Sequence, residues 1–194
     1  MPIAINGSGT VTGISVGGLP DGIVDTDMIA ADAVTAAKIG SKTFTSYALI
    51  GDVKSTGTEG GTFTNGTWQT RDLNTEISDV DDIVSISSNQ FTLQAGTYFV
   101  RATALGYRVD RHLAKLRNIT DSTDVQFGTS EYAGESNEGA AYSKIISRFT
   151  ISGAKAFEIQ HRGQVTKASN GFGIAANFTG YSELYTIVEI YKEA

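Results

Sequence analysis

The chain has 194 residues, 40% of them hydrophobic and 9% aromatic, which is enough to bury one substantial core. Its formal charge of −6 disfavours general binding to nucleic-acid phosphates, and the absence of cysteine excludes disulfides and thiolate metal sites. Two histidines are too few for a multi-histidine metal site, and no apolar run is long enough to insert into a membrane, so no metal, cofactor or membrane is expected.

Residues 1–43 have no aromatic side chain and are rich in Gly, Ala, Ser and Thr, so this segment cannot form a core alone. Within it, GIVDTDMIAADAVTAAKIG nearly repeats itself at an offset of ten residues, as Val24 and Val34 show. Short repeats with one apolar stripe usually bury that stripe against copies of themselves. The part from Asp27 to Lys38 fits an amphipathic helix and an extended fibrous repeat equally well.

From residue 44 onward, short runs of aromatic and β-branched residues alternate with turn signals such as NGT, QAGT and ISGAK, which is typical of β structure. Ten runs are predicted strands: Phe44–Val53, Thr62–Thr70, Ile83–Ser87, Phe91–Leu93, Thr97–Tyr107, His112–Thr120, Val125–Tyr132, Ala141–Ile151, Lys155–Arg162 and Tyr181–Tyr191. Ten strands without a convincing helix predict an all-β domain at 44–194, an antiparallel sandwich.

The last predicted strand is apolar on both faces. Leu184, Thr186, Val188 and Ile190 share one face, and Tyr185, Ile187, Glu189 and Tyr191 share the other. A strand of this kind must be covered on each side. We therefore expect the core on one face and a second sheet or a neighbouring subunit on the other.

Three stretches carry a family resemblance. FTLQAGTYFVRATALGYRVDRHLAKLRNITDSTDVQFGTSEYA, YSKIISRFTISGAKAFEIQHRG and the terminal ELYTIVEIYKEA together resemble the C-terminal heads of bacteriophage tail-fibre and other virion-fibre proteins. Those heads have a fold similar to the C1q/TNF jelly roll. Residues 1–43 resemble the shaft or attachment segments of such fibres.

The resemblance implies a homotrimer located on the virion. Residues 1–43 would join it to other virion or tail proteins, and the head would bind a bacterial surface glycan or protein without catalysis. The trimer-interface candidates are Phe157, Tyr185, Ile187 and Tyr191; packing of these residues within a monomer is the alternative. Two other functions stay open: a purely structural virion fibre or capsid-decorating protein, and a non-viral C1q-like adhesin.

Antiparallel strands place alternate connections at the same end of a sandwich. The connections at 108–111, 133–139 and 163–180 are therefore predicted to share one end, which the resemblance makes the free apex. Because binding residues concentrate in loops on a rigid scaffold, we expect receptor contacts there, although solvated loops without a binding role remain an alternative. The candidates are Arg108, Asp110, Arg111, Tyr132, Glu135, Asn137, Lys167, Asn170 and Phe172.

Catalytic interpretations are weaker. Asp110 could orient His112 toward Ser122 or Ser143, but the nucleophile turn G-x-S-x-G is missing. A histidine among arginines on an outer strand is more often a polar surface residue or a packing partner. Carboxylate pairs for glycan cleavage could be drawn from Asp110, Glu131, Glu135 and Glu138, as from any acidic protein rich in loops. We expect no enzymatic activity.

Charged clusters also have simpler interpretations. The acidic runs at 78–83 and 120–124 could hold a hard cation, but turns in which Asp and Ser satisfy backbone N–H groups are favoured. The basic residues between Arg101 and Arg117 are expected to pair with acids on neighbouring strands.

Overall fold

The computed structural model describes residues 43–194, which form twelve β-strands and no helix. The strands are β1 Phe44–Lys54, β2 Gln69–Thr70, β3 Thr75–Asp79, β4 Val84–Ser87, β5 Gln90–Leu93, β6 Gly96–Tyr107, β7 Asp110–Asn118, β8 Thr123–Phe127, β9 Glu131–Ala133, β10 Ala140–Ile151, β11 Lys155–Gly163 and β12 Glu183–Glu193. The predicted helix or fibrous repeat at 27–38 lies outside the described residues, and the domain boundary at 43 stays a prediction.

The strands form two antiparallel sheets. The first sheet has the order β10-β6-β12-β1-β3, and the second has the order β4-β5-β11-β7-β8, with β2 paired to β11 and β9 paired to β7. The chain changes sheet at each step from β1 to β4, from β5 to β6, from β6 to β7, and at each step from β9 to β12. This wrapping is the double Greek key of a jelly roll. The predicted antiparallel jelly-roll sandwich is confirmed.

The core lies between the two sheets. Aromatic rings form one part of it. The Phe157 ring stacks on Phe91 at a centroid distance of 5.6 Å and lies 5.1 Å from the Phe149 ring. Ile50 of the first sheet and Leu116 of the second are both fully buried there. The predicted alternation of the last strand is confirmed for its inner face, because Thr186, Val188 and Ile190 are all 0% exposed.

The structure corrects four sequence predictions. Leu184 does not share the inner face, because β12 has one extra residue against β1 between the pairs Gly51–Ile187 and Val53–Leu184, and Leu184 is 42% exposed. The predicted strand 125–132 is divided into β8 and β9, and the predicted strand 62–70 is reduced to β2. One strand, β3, was not among the ten predicted runs.

Four connections share one end of the sandwich. Lys54 pairs with Glu183, Tyr107 pairs with Ala140, and the end of β11 lies beside the start of β7. We call residues 55–68, 108–109, 134–139 and 164–182 the apical loops. The predicted grouping of the 108–111, 133–139 and 163–180 connections is thus confirmed. Phe44 pairs with Glu193, so the described chain begins at the opposite end.

Within residues 43–194 there is no helix with the length and apolar character that a membrane crossing needs.

Candidate functional site

The apical loops are fastened to one another by backbone hydrogen bonds. Gly60 N donates to Gly173 O at 2.9 Å, and Phe63 and Lys167 exchange two bonds of 2.9 and 2.8 Å. Gly60 is required at its position, since an added Cβ would lie 2.7 Å from the Phe172 carbonyl carbon. These bonds join segments about 100 residues apart, so the apex is an ordered part of the domain.

A buried arginine anchors the longest apical loop to the first sheet. The Arg71 guanidinium is fully buried and donates to Thr186 Oγ1 (2.8 Å), Leu105 O (3.0 Å) and Phe172 O (2.9 Å). It also lies 4.1 Å from the centre of the Phe172 ring. Burial lowers the pKa of Arg71 to about 10, so the group remains charged at neutral pH. Its hydrogen bonds therefore carry a full charge, which makes the anchor strong.

Glu183 fixes the far side of the same loop. Its carboxylate accepts the backbone N–H groups of Gly57 (3.0 Å), Ala176 (2.9 Å) and Asn177 (2.9 Å). These three donors lower the pKa of Glu183. Tyr185 adds a bond from its hydroxyl to Thr58 O at 2.6 Å. Two chain segments, around residues 57 and 176, are thus held on one carboxylate.

Arg108 and Asp110 shape the loop at 134–139. Both residues have positive φ angles, of 56° each, which produces a tight turn between β6 and β7. Arg108 Nε donates to Glu135 O at 2.8 Å, and Asp110 Oδ1 accepts Glu135 N at 2.9 Å. Arg108 and Asp110, two of the predicted receptor contacts, therefore use these polar groups to hold the loop on which Glu135 and Asn137 are exposed.

A cleft of about 800 Å³ opens beside the apical loops on the outer face of the second sheet. Leu113 is part of its floor; β9 forms one wall and the loop at 65–66 the other. Its lining residues are Asn65, Gly66, Arg111, His112, Leu113, Ser130, Glu131, Tyr132, Arg162, Gly163 and Gln164. A volume of this size is typical of small-molecule sites, and it is the candidate functional site.

Two arginines reach the cleft from neighbouring strands. Arg162 pairs with Leu113 across β11 and β7, so Arg111, two residues before Leu113, is its diagonal neighbour. Diagonal residues of antiparallel strands are about 7–8 Å apart, close enough for long side chains to serve one ligand. Both arginines are exposed. The opposite wall contributes Glu131, whose Oε1 accepts the Thr129 hydroxyl at 2.7 Å, and Tyr132, which is 63% exposed.

A buried histidine pair lies beneath the cleft. His112 Nδ1 and His161 Nε2 are 2.9 Å apart, and the two side chains are 3% and 0% exposed. Burial, above all, lowers the pKa of His112 to about 4 and that of His161 well below its usual value, and the charge of Arg71 acts in the same direction. Both rings are therefore neutral at pH 7. Of the two interpretations of His112, a polar surface residue or a packing partner, the structure supports the packing partner.

The structure brings only part of the predicted receptor set together. Arg111 and Tyr132 line the cleft. Glu135 and Asn137 are exposed on the loop at 134–139, whereas Lys167 and Asn170 are half-buried. Phe172 is a correction: its ring is 8% exposed and packs edge-on against Phe63 at 4.9 Å, so it supports the apex from inside.

The predicted trimer-interface residues also divide. Phe157 is fully buried in the core, and Tyr185 is 2% exposed beneath the apical loops, so neither offers surface to a neighbour. Ile187 and Tyr191 lie on the outer face of the first sheet and are half-buried. On the same face, the Tyr191 ring is 5.2 Å from Phe44 and 4.9 Å from Tyr47, and Tyr142 and Ile146 are exposed.

The histidine does not form a hydrolytic triad. His112 Nδ1 faces the other histidine, and Asp110 accepts the Glu135 amide. Ser143 Oγ donates to Thr129 O and accepts Ala114 N. Among the described residues that line the cleft, Glu131 is the single carboxylate.

The acidic turns satisfy other groups of this chain. Asp79 accepts the amides of Ile83 and Val84, both at 3.0 Å. Asp124 pairs with Lys115 and Arg117 at 2.8 and 2.7 Å. The predicted cross-strand pairing of the basic residues is confirmed for Arg117. It is also confirmed for Arg101, which lies opposite Glu189 in the register and 3.5 Å from its carboxylate.

Sequence reasoning missed the rest of the cleft. Arg162 and Gln164 sit at the end of a predicted strand, and the outward position of Arg162 in its alternation was a usable signal. Asn65 carried no such signal, because it reaches the site through a bond from Gly66 N to Gly163 O (3.1 Å) across almost 100 residues.

No family model and no curated protein matches this sequence. Among solved structures, the chain is similar to the globular domain of zebrafish complement 1qA protein, at 14% identity and a TM-score of 0.49, over 76% of this chain and 97% of that one. It is also similar to murine APRIL, at 9% identity and a TM-score of 0.45, over 76% of this chain and 98% of that one. A third similar structure is the PRD1 vertex protein P5, at 12% identity and a TM-score of 0.46, over 79% of this chain and all of that one. The jelly-roll assignment itself rests on the strand order and register of residues 43–194.

Proposed function

We propose that this chain is a homotrimeric phage virion fibre protein whose head binds the bacterial surface without catalysis. Residues 1–43 attach the protein to other virion or tail proteins, and residues 44–194 form the head. The observation that carries the proposal is the cleft of about 800 Å³ beside an ordered apex, at the end of the sandwich opposite Phe44, where β1 begins. A chain attached through its N-terminal segment presents that end outward.

The outer face of the first sheet supports self-association. Tyr142 and Ile146 are 46% and 59% exposed on its edge strand, and Ile187 and Tyr191 are half-buried on β12, nearer the sheet centre. The ion pair of Arg101 with Glu189 lies beside Ile146 on the same face. Exposed apolar side chains gathered on one face of a domain are typical of a protein interface. The cleft is on the other sheet, so assembly through the first sheet leaves every cleft open to solvent.

Binding by such a head depends on avidity. Three identical sites on one rigid body raise the effective concentration of each site once the first has bound, and overall affinity can rise by about 10² to 10⁴. No site then needs to be strong alone. This requirement suits an open cleft on the outer face of a sheet.

Two measurements test the proposal on the full chain. Light scattering is expected to give three times the chain mass of 20.5 kDa. Labelled protein is expected to adsorb to host cells and to compete with intact virions. The variant Ile187→Asp places a charge on the proposed interface, so it is expected to be monomeric and to adsorb at least about 100-fold more weakly.

The matched control is Ser85→Asp, which places the same charge on an exposed position of β4, in the second sheet. It is expected to remain trimeric. A monomeric wild-type protein contradicts the homotrimer. A trimer that neither adsorbs nor competes contradicts host binding and favours the purely structural fibre.

A further inference from the structure

Arg111 and Arg162, the two arginines of the cleft, differ from the other arginines of the chain, which are bound to acceptor groups of the protein itself. All seven arginines of the chain lie within the described residues. Arg101, Arg108, Arg117 and Arg148 each contact a carboxylate of this chain, and Arg71 is spent on three buried acceptors. Within residues 43–194, Arg111 and Arg162 have no carboxylate partner. The polar contact of Arg111 is a long one, 3.4 Å to Gln164 Oε1.

Two arginines without a carboxylate partner in one cleft are unexpected in a protein that is acidic overall. With a net charge of −6, carboxylates are in excess, and the other exposed arginines find them. In the cleft, two guanidinium groups face a single carboxylate, Glu131, which leaves the site locally positive. Guanidinium groups match carboxylate and phosphate oxygens with two parallel hydrogen bonds. A cleft with this charge suits an anionic ligand.

The rest of the lining fits a sugar. Asn65, Ser130 and Gln164 line the same cleft and offer hydrogen-bond donors and acceptors, and Glu131 adds an acceptor for hydroxyl groups. The Tyr132 ring is 63% exposed and gives an apolar face with a polar tip. Two arginines are too few for the backbone of a nucleic acid against a net negative charge.

We propose that the cleft binds an anionic saccharide, with Arg111 and Arg162 holding its carboxylate or phosphate group and Tyr132 packing against a sugar ring. This inference rests on the proposed function, because it names the class of surface component that the head recognises. The shared chemistry is a sugar or polyol chain bearing an anionic group. Uronic-acid and phosphate-bearing polymers are its two sources.

Calorimetry on the full chain tests this with three probes: tetragalacturonate, its neutral methyl ester and a short poly(glycerol phosphate). We expect binding of at least one anionic probe, and at least about tenfold weaker binding after Arg162→Gln or Arg111→Gln, because each removes charge-assisted hydrogen bonds. Arg162→Lys keeps the positive charge but loses the paired N–H donors of the guanidinium group. We therefore expect a loss of affinity smaller than that of Arg162→Gln. Arg117→Gln removes the same charge from the end of β7 that lies away from the cleft and is expected to change affinity less than about twofold.

Each outcome is decisive. Binding of tetragalacturonate alone identifies a carboxylate ligand, and binding of poly(glycerol phosphate) alone identifies a phosphate ligand. The inference is overturned if neither anionic probe binds, if the methyl ester binds as tightly, or if Arg117→Gln weakens binding as much as Arg162→Gln. Thermal unfolding of each variant excludes misfolding as the cause.

Adsorption to cells separates this inference from the proposed function. If the Arg111→Gln, Arg162→Gln double variant adsorbs to cells as well as the wild type, the head still binds the host, but the cleft is not the site of that binding. Binding to an anionic probe without adsorption to cells retains the cleft chemistry and contradicts the proposed function.

Discussion

Acidification is expected to destabilise the head through the buried histidine pair. His112 and His161 share one hydrogen bond of 2.9 Å, and the remaining nitrogens, His112 Nε2 and His161 Nδ1, are buried without a partner within the described residues. Arg71 is the nearby cation and Glu131 the nearby anion that act on the pair. A proton added here is therefore placed in a dry site close to another positive charge, which opposes the folded state.

The size of the effect follows from the pKa values. The pKa of His112 falls from 6.5 in the unfolded chain to about 4 in the fold. Between these values the unfolded state binds more protons, so stability is present above pH 6.5 and is lost as the pH falls toward 4. From pH 7 to pH 4.5 the loss is about 2 kcal/mol for His112 alone, since each unit of pKa difference corresponds to about 1.36 kcal/mol. His161 adds to it in the same direction.

Urea unfolding of the full chain at pH 7.0, 5.5 and 4.5 measures this loss, with the double variant His112→Asn, His161→Gln as control. The lowered pKa values of Asp121, Asp124 and Glu193 also remove stability in acid, but they are common to both proteins. The wild-type curve is therefore expected to fall more steeply than the variant curve between pH 6.5 and 4.5. Parallel curves would refute the reasoning, since they would mean that neither histidine changes its pKa on folding.

Two further substitutions test the core and the apex. Phe157→Ala removes a fully buried ring from the aromatic core and is expected to lower the free energy of unfolding by about 3–5 kcal/mol in urea titrations; a loss below about 1 kcal/mol contradicts its placement between the sheets. Arg71→Met leaves the buried carbonyls of Leu105 and Phe172 without donors and is expected to cost at least about 2 kcal/mol. Hydrogen exchange is expected to rise first in the loop at 164–182, and uniform exchange across the domain would argue against a local anchor.

The local pattern of the sequence predicts most of the strands and which loops share an end. The alternation of Thr186, Val188 and Ile190 identified the inner face of β12, because a strand with a buried face repeats every two residues. The break between β8 and β9 was not predictable in this way. It occurs at Gly128, where an added Cβ would lie 2.7 Å from Ser143 Oγ, and this approach depends on a strand that follows later in the chain.

The candidate site was predictable only in part, for the same reason. Arg111 and Tyr132 were found because they flank predicted turns, and they are direct neighbours across β7 and β9. Phe172 was assigned to the surface because loops are usually exposed. The buried guanidinium of Arg71, about 100 residues earlier in the chain, instead draws this ring inward. Contacts of such long range are not visible in local patterning.

The carboxylate of Glu183 has a consequence for motion at the apex. Its three N–H donors come from loop residues, yet they are bound to a side chain that is 6% exposed. Amides held in this way exchange with solvent only when the local structure opens. The loop at 174–177 therefore loses its conformational entropy during folding and not on ligand binding. Because this part of the apex is already ordered, its binding to a partner costs little conformational entropy.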